Sequence, residues 1–265
     1  MIRYSYHSSV YREGEQFVPA HGFGIIVSGS VSLDDGNKKI LIEEGELFMI
    51  RKNHLLKFVK YPSEKGKMES LSVTFDEEFL HDFSSEYGYK AEKKTKSEAF
   101  IKLSQSQELL AFLHSLSAYQ SLLNNNMDAL LSLKQKEALI LLLQYDISLK
   151  DVLFDFSKPN KKDLTVFMNE NFHFNVRLDK FAYLTGRSLA TFKRDFQKTF
   201  NASPRNWLQQ RRLEQAYYLI TQKGKTTSEI YLDLGFENLS HFSFVFKKQF
   251  GFSPSVLQQN SLRKL

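Results

Sequence analysis

A repeat in the last hundred residues constrains the fold of this chain more than any other feature of its sequence. When residues 184–204 are placed over residues 234–254, an offset of 50, eight positions are identical. The identities fall on helix-spaced apolar positions and on a Ser-Pro pair: Leu184/Leu234, Leu189/Leu239, Phe192/Phe242, Phe196/Phe246, Lys198/Lys248, Phe200/Phe250, Ser203/Ser253 and Pro204/Pro254. The residues that precede the second helix of each copy match at an offset of 49, as Gly186 and Gly235 do. The repeat therefore predicts two supersecondary units of one kind, the second with one extra residue in its turn.

Each copy is predicted to contain a short helix, a glycine-bearing turn and a second helix. The first copy places helices at 178–185 and 189–199, and the second places them at 227–234 and 239–249. This order predicts two helix-turn-helix units, whose second helix enters the major groove of DNA. One long helix from Pro204 to Thr221, roughly 25–27 Å at 1.5 Å per residue, is expected to join them. Such a helix can hold two recognition helices near the ~34 Å separation of successive major grooves.

Helical spacing decides which side chains of the first recognition helix face outward. Leu189, Phe192 and Phe196 share one stripe. The opposite face then carries Ala190, Lys193, Arg194 and Gln197. Arginine and lysine donate to guanine, glutamine pairs with adenine, and alanine allows contact with a thymine methyl. The alternative is a solvated helix face without a ligand, and the duplication of the motif argues against it.

The second recognition helix has a different outward face. It consists of Ser240, Ser243, Phe244 and Lys247, with His241 beside it. A solvent-facing phenylalanine needs a partner, and the sequence leaves open whether Phe244 packs on thymine methyls or against another domain. We expect phosphate contacts from helix N-termini and from basic side chains, namely Lys198, Arg205, Lys247 and Lys248.

The distribution of charge indicates a polyanionic partner for the C-terminal half. Residues 1–150 hold 18 Lys+Arg and 20 Asp+Glu, a net charge of −2, whereas residues 151–265 hold 18 and 10, a net charge of +8. This asymmetry suggests nucleic acid or an anionic membrane surface. The apolar run Ala138 to Leu143 is too short to span a bilayer, and we expect no membrane partner. Without a secretory apolar run or any cysteine, the chain is expected to be cytoplasmic and to lack disulfides and thiolate metal sites.

The N-terminal half is predicted to change from strands to helices. In residues 1–76, short runs of β-branched and aromatic residues alternate with turn signals, a pattern typical of a sandwich or barrel. Residues 77–150 are predicted to be helical, with strong patterns at 107–123 and 127–145 that Asn124-Asn125-Asn126 separates. We expect an antiparallel helical pair. Its second helix is apolar around so much of its circumference that it is either a core helix or the interface of a homodimer.

These patterns together predict an α+β protein of two domains. Residues 1–155 are expected to form a regulatory and dimerisation domain. Residues 156–162 are polar and contain a proline, which indicates a linker. Residues 163–265 are expected to form an all-α DNA-binding domain of two helix-turn-helix units joined by a long helix.

The repeat resembles the DNA-binding domain of the AraC/XylS family of bacterial transcription regulators. The similarity covers about residues 161–262 and is carried by Ser188–Phe196, Arg211–Ala216, Ser228–Ser243 and Val245–Ser255. It implies two units that bind adjacent major grooves of promoter DNA, usually to activate transcription by RNA polymerase. The resemblance places the base-reading positions on Ala190, Lys193 and Arg194 in the first unit and on Leu239, Ser240 and Phe244 in the second. The family's usual arginine after Phe-Ser is Phe244 here, which puts strong base readout by the second unit in question.

The N-terminal half resembles the cupin-type regulatory domain common in this family, through the glycine–acidic–apolar run from Gly45 to His54. The resemblance implies a cupin-like β-barrel with a helical pair. Metal-binding cupins use a His-x-His with a later glutamate and histidine, whereas the histidines here, His7, His21, His54 and His81, are isolated. We therefore expect no metal and no cofactor. The sequence leaves open whether an effector is a small molecule or a protein.

A different class of function is a cupin-type small-molecule-binding protein or enzyme with a helical appendage. That alternative lacks the metal ligands, and the sequence contains no Gly-x-Ser-x-Gly elbow, phosphate loop or His-Glu-x-x-His motif. We therefore expect no catalytic residues. The sequence favours a sequence-specific DNA-binding transcription regulator, and more specifically an activator.

Overall fold

The computed structural model describes residues 1–12, 14, 16–95, 98–119 and 128–262. The chain divides into two compact units. The first consists of Met1–Glu13 and Phe17–Ser157, and the second of Gly14–Gln16 and Lys158–Leu265. Every described strand belongs to the first unit, and the second is helical. A search of the described helices finds none with the length and apolar character that a membrane crossing needs.

The strands of the first unit form three antiparallel sheets. They are β1 (Ile2–His7), β2 (Tyr11–Arg12), β3 (Phe17–Val18), β4 (His21–Ser28), β5 (Ser30–Asp34), β6 (Lys39–Ile42), β7 (Leu47–Ile50), β8 (His54–Leu55), β9 (Lys57–Tyr61), β10 (Met68–Phe75) and β11 (Phe100–Leu103). The order is β1-β10-β4-β7-β11 in the largest sheet and β2-β9-β5-β6 in the second, and β3 pairs with β8. The predicted β structure of the N-terminal region is confirmed.

Strand β7 of the five-stranded sheet is buried on both faces. On β7, Leu47 and Met49 join the core shared with the helices, whereas Phe48 and Ile50 join the core shared with Leu33 of the four-stranded sheet. The two faces alternate because successive side chains of a strand point in opposite directions. Among the described residues, no strand pairing connects the two larger sheets. The architecture is therefore two packed layers with open edges, and the closed barrel that we expected is not found.

Helices cover the outer face of the five-stranded sheet. They are α1 (Glu77–Tyr87), α2 (Gln107–Ser117), α3 (Asp128–Tyr145), a 3₁₀ turn (Ile147–Leu149) and α4 (Lys150–Leu153). The two predicted helices are confirmed as α2 and α3, but α2 ends at Ser117 and not at residue 123. Residues 120–127, including Asn124-Asn125-Asn126, lie outside the described residues. Helix α3 buries Ala138, Leu139 and Leu142, but Leu133 is 64% exposed. The helix therefore has a core side and a side that remains partly apolar towards solvent.

One part of the expected helical region 77–150 is wrong. Strand β11 lies between α1 and α2 and pairs with β7, with Phe100 opposite Ile50 and Leu103 opposite Leu47. Four residues are too few for their alternation to be visible beside two strong helical patterns. The edge of β7 offers unpaired backbone groups, and pairing with that edge decides the conformation of this segment.

The second unit contains seven described helices. They are α5 (Leu164–Asn171), α6 (Leu178–Leu184), α7 (Leu189–Phe200), α8 (Pro204–Lys223), α9 (Thr227–Ile230), α10 (Leu239–Phe250) and α11 (Pro254–Leu262). The predicted helices of the first helix-turn-helix unit, the long helix and the second recognition helix are confirmed as α6, α7, α8 and α10. Helix α8 has 20 residues and is therefore about 30 Å long.

Candidate nucleic-acid interface

Backbone hydrogen bonds define the turn of the first helix-turn-helix unit. Gly186 has φ +67, a conformation that glycine adopts without steric cost. The N–H of Gly186 donates to the carbonyl of Tyr183 at 2.9 Å, and the N–H of Arg187 donates to that of Ala182 at 3.0 Å. This pairing is a Schellman motif, which satisfies the last carbonyls of α6. Ser188 then caps α7, because its hydroxyl accepts a hydrogen bond from the N–H of Thr191.

The second unit repeats this turn 49 residues later. The N–H of Gly235 donates to the carbonyl of Leu232 and that of Phe236 to the carbonyl of Tyr231, both at 3.0 Å. Asn238 caps α10, since its side chain accepts from the N–H of His241 at 2.7 Å. The extra residue of the second copy therefore lies between the glycine and the cap.

Helix α9 ends earlier than the predicted span 227–234. The helix ends at Ile230, and the chain continues as a series of turns to Gly235. Leu234 is nevertheless buried. The predicted end of the helix was wrong because apolar spacing indicates which side chains are buried and not which backbone conformation they have. A series of turns can bury the same side chains without forming a regular helix.

Aromatic side chains hold both recognition helices against the rest of the unit in the same way. The ring centroids of Phe192 and Phe196 are 5.5 Å apart, and those of Phe242 and Phe246 are 5.7 Å apart. All four side chains are fully buried. In the first unit Trp207 of α8 packs edge-on against Phe196 at 5.6 Å. The repeated sequence thus produces a repeated core, which orients α7 and α10 alike.

The buried aromatics leave the predicted base-reading residues on the outer faces. On α7 the structure exposes all four, Ala190, Lys193, Arg194 and Gln197. On α10, Ser240 and Phe244 are exposed, Leu239 is 38% exposed and Ser243 is half-buried. The four predicted phosphate-contacting residues, Lys198, Arg205, Lys247 and Lys248, are also exposed. Each recognition helix therefore presents its predicted residues to solvent, and their contact with DNA stays a prediction.

Arg187 connects the first turn to the first recognition helix. Its Nε donates to Oδ2 of Asp195 on α7 at 3.1 Å, and its side chain is 7% exposed. Its Nη1 donates to the carbonyls of Thr185 and Lys162, at 2.8 and 3.0 Å. The hydrogen bond from Arg187 holds the pKa of the Asp195 carboxyl below its usual value. The pair fixes α7 against the turn that precedes it.

The expected linker, residues 156–162, is attached to this turn at its C-terminal end. Residues 155–163 have no regular secondary structure. A Cβ on Gly186 would lie 2.7 Å from the carbonyl carbon of Asn160 and from the nitrogen of Lys161. The N–H of Lys162 donates to the carbonyl of Thr185 at 3.3 Å. Because only glycine permits this approach, residues 160–162 belong to the helical unit and are not a free tether.

Arg212 is a positioning residue to which the sequence analysis assigned no role. Its guanidinium donates to the carbonyls of Phe172 and Phe174, both at 2.8 Å, and to that of Gly235 at 2.9 Å. Burial lowers the pKa of Arg212 to about 10, so the group stays charged at neutral pH. Arg212 thereby ties the second turn to the segment between α5 and α6.

The signal for Arg212 was present in the helical spacing. Leu208, Ala216 and Ile220 are buried at intervals of four or eight residues along α8, and Arg212 occupies the same stripe. A charged residue on a buried stripe requires partners, which here are backbone carbonyls.

Among the histidines of the N-terminal unit, one is buried beside His54 and two stack on aromatic rings. His21 is 2% exposed and its Nδ1 accepts a hydrogen bond from the backbone N–H of Lys52 at 3.4 Å. Burial, followed by the nearby charge of Lys52, lowers the pKa of His21 to about 3. His7 stacks on Tyr11 and His81 on Phe156. Within the described part of the chain, no three histidine, aspartate or glutamate side chains are grouped as metal ligands.

Comparisons with known proteins match both units. Residues 181–260 match the family described as a helix-turn-helix domain, and residues 21–150 match the family described as the ExsA N-terminal regulatory domain. Together these matches support an AraC/XylS family transcription regulator. The relatives are named as transcription regulators, so the alternative of a cupin-type enzyme is not favoured.

Two of its relatives align with it over most of their length. The regulator is 24% identical to the HTH-type transcriptional regulator ExsA of Pseudomonas aeruginosa over 245 residues, which cover 90% of this chain and 86% of that protein. It is 26% identical to the virulence regulon transcriptional activator VirF of Yersinia enterocolitica, with coverage of 88% and 87%. Among solved structures, ToxT from Vibrio cholerae aligns over 97% of both chains at 14% identity, with a TM-score of 0.42.

Proposed function

We propose that this protein is a sequence-specific transcription activator whose two helix-turn-helix units occupy adjacent major grooves of promoter DNA. The observation that carries the proposal is the pair of recognition helices, α7 and α10, which are capped and anchored by phenylalanines at equivalent positions and expose the corresponding faces. Helix α8, about 30 Å long, joins them and is close in length to one turn of DNA, ~34 Å. The relatives named as activators support activation as the direction of control.

The two helix-turn-helix units contribute differently to DNA recognition. Lys193 and Arg194 offer donors to guanine, Gln197 offers a bidentate amide to adenine, and Ala190 lets the helix approach the bases. Leu239, Ser240, Ser243 and Phe244 take the base-facing positions of the second unit. The exposed basic residues Lys198, Arg205, Lys247 and Lys248 contact phosphates, which adds affinity without much sequence preference. Most sequence information then lies in the half-site of the first unit.

The N-terminal unit is a cupin-like regulatory and dimerisation domain in this proposal. Its layered sheets and the match to a regulatory domain support the regulatory role. The partly apolar side of α3, which includes Leu133, supports a homodimer. The protein acts in the cytoplasm, where promoter DNA and RNA polymerase are its partners, and it has no catalytic activity. The effector is a small molecule or a protein.

Selection of binding sites from random DNA with the full-length protein tests the proposal. We expect a bipartite site, one half richer in information, that footprints upstream of genes in the native genome. On that site Arg194→Ala and Lys193→Ala should each weaken binding by about 5- to 150-fold, the equivalent of ~1–3 kcal/mol, and relax preference at one base pair. Lys65→Ala, an exposed lysine of the N-terminal unit, is the control for charge loss. Wild-type affinity in both variants would show that the face of α7 is wrongly assigned.

A further inference from the structure

Phe244 is an exposed phenylalanine on a helix whose other phenylalanines are buried or half-buried. Its side chain is 67% exposed, whereas Phe242 and Phe246 on the same helix are fully buried. Its neighbours on the outer face are Ser240 and Lys248, four residues to either side. The side chain therefore lies outside the core of its unit and is accessible to a ligand of the outer face.

The register of the repeat identifies what this position faces. Phe244 corresponds to Arg194 at the offset of 50 that relates α10 to α7. The two helices share this register in the structure, because Ser188 and Asn238 cap them and Phe192 and Phe242 anchor them at equivalent points. Phe244 therefore occupies the base-facing position that Arg194 occupies in the first unit.

The chemistry of a phenyl ring determines which base edge it can recognise. The ring neither donates nor accepts a conventional hydrogen bond, so it cannot recognise the polar edges of guanine, cytosine or adenine. Thymine alone presents an apolar group in the major groove, its C5-methyl. We infer that Phe244 is a specificity-determining residue that recognises thymine methyl groups in the second half-site.

The charge around Phe244 favours DNA over a protein surface as its partner. The helix α10 contains no acidic residue, and Lys247 and Lys248 lie in its last turn. These two lysines, one helical turn beyond the ring, place positive charge where the phosphates at the edge of a DNA groove would lie. The second unit therefore recognises bases by apolar contact and phosphates by charge, whereas the first recognises bases by hydrogen bonding.

Replacing thymine with deoxyuridine tests this inference, which rests on the proposed function. Deoxyuridine removes only the C5-methyl and keeps every hydrogen-bonding group of the base. On a selected site, substitution at one or two thymines of the second half-site should weaken wild-type binding about three- to tenfold. Phe244→Ala should bind the thymine site with a similar loss and should not respond to the same substitutions. Because Phe244 is exposed, this variant keeps the fold.

Three further variants and a converse probe sharpen the result. Arg194→Ala should weaken binding and retain the response to deoxyuridine, and Phe244→Leu should retain part of it. Phe244→Arg should change the preferred base at that position to guanine. Replacing cytosine with 5-methylcytosine at that position should restore part of the affinity for a site that lacks the thymine.

The outcomes separate this inference from the proposed function. Equal wild-type affinity for thymine and deoxyuridine sites, or an undiminished response in Phe244→Ala, overturns the role of Phe244 and leaves sequence-specific binding intact. Unchanged DNA affinity in Phe244→Ala on all probes also overturns it and assigns the ring to a protein contact. If the wild-type protein selects no DNA sequence at all, the proposed function fails and the inference with it.

Discussion

Replacing Arg212 with methionine should destabilise the second helix-turn-helix unit more than any surface change in the same helix. The substitution keeps much of the apolar stem but removes hydrogen bonds to the carbonyls of Phe172, Phe174 and Gly235, at 2.8, 2.8 and 2.9 Å. A hydrogen bond to a charged group contributes roughly 1.5–3 kcal/mol. Burial of the guanidinium, which lowers the pKa of Arg212 to about 10, offsets part of that gain. We therefore expect a loss of about 3–5 kcal/mol in the free energy of unfolding.

The chain contains its own reporter for this measurement. Trp207, the single tryptophan, lies on α8 and packs against Phe196, so its fluorescence follows urea unfolding of the C-terminal unit. Arg211→Met is the matched control, because Arg211 is half-exposed, lies over the ring of Phe172 and pairs with Glu214 at 3.7 Å. That variant should lose less than about 1 kcal/mol. Equal unfolding midpoints for the two variants would refute the reasoning.

Four further predictions concern other parts of the chain. Lys248→Ala should weaken binding to all DNA sequences alike and reduce the salt slope by about one; a loss confined to one sequence would contradict this. Phe192→Ala should destabilise by ~3–5 kcal/mol, and DNA binding should be lost together with helical circular dichroism. Leu133→Glu, at a 64% exposed position, should weaken self-association in sedimentation without unfolding, and unchanged dimer affinity excludes this face. His21 has a folded-state pKa of about 3, so below pH ~6.5 the unfolded chain binds a proton that the folded chain does not. Stability should fall by up to ~1.4 kcal/mol per pH unit as the pH drops below 6.5, and His21→Asn should abolish this slope in urea titrations.

Much of the C-terminal unit could be predicted because its determinants are local. Helix caps such as Ser188, the glycine of each turn, and apolar positions three or four residues apart act within a single turn of the chain. Their repetition at offsets of 49 and 50 residues made the two units visible together. The same logic placed Phe244 on an outward face without knowledge of its surroundings.

Long-range contacts decided what the sequence pattern left open. Strand β11 forms because the edge of β7 is available, and the sheets form open layers because of pairings between strands distant in sequence. Arg187 joins residues 162 and 195, and Arg212 binds carbonyls at positions 172, 174 and 235. Every residue has a carbonyl, so no residue type marks these acceptors in the sequence. The sequence by itself determined the elements and the outward faces of the two units, because those depend on neighbours along the helix. Only the tertiary structure decided which hydrogen bonds hold each turn in place, because these depend on which backbone atoms folding brings within hydrogen-bonding distance.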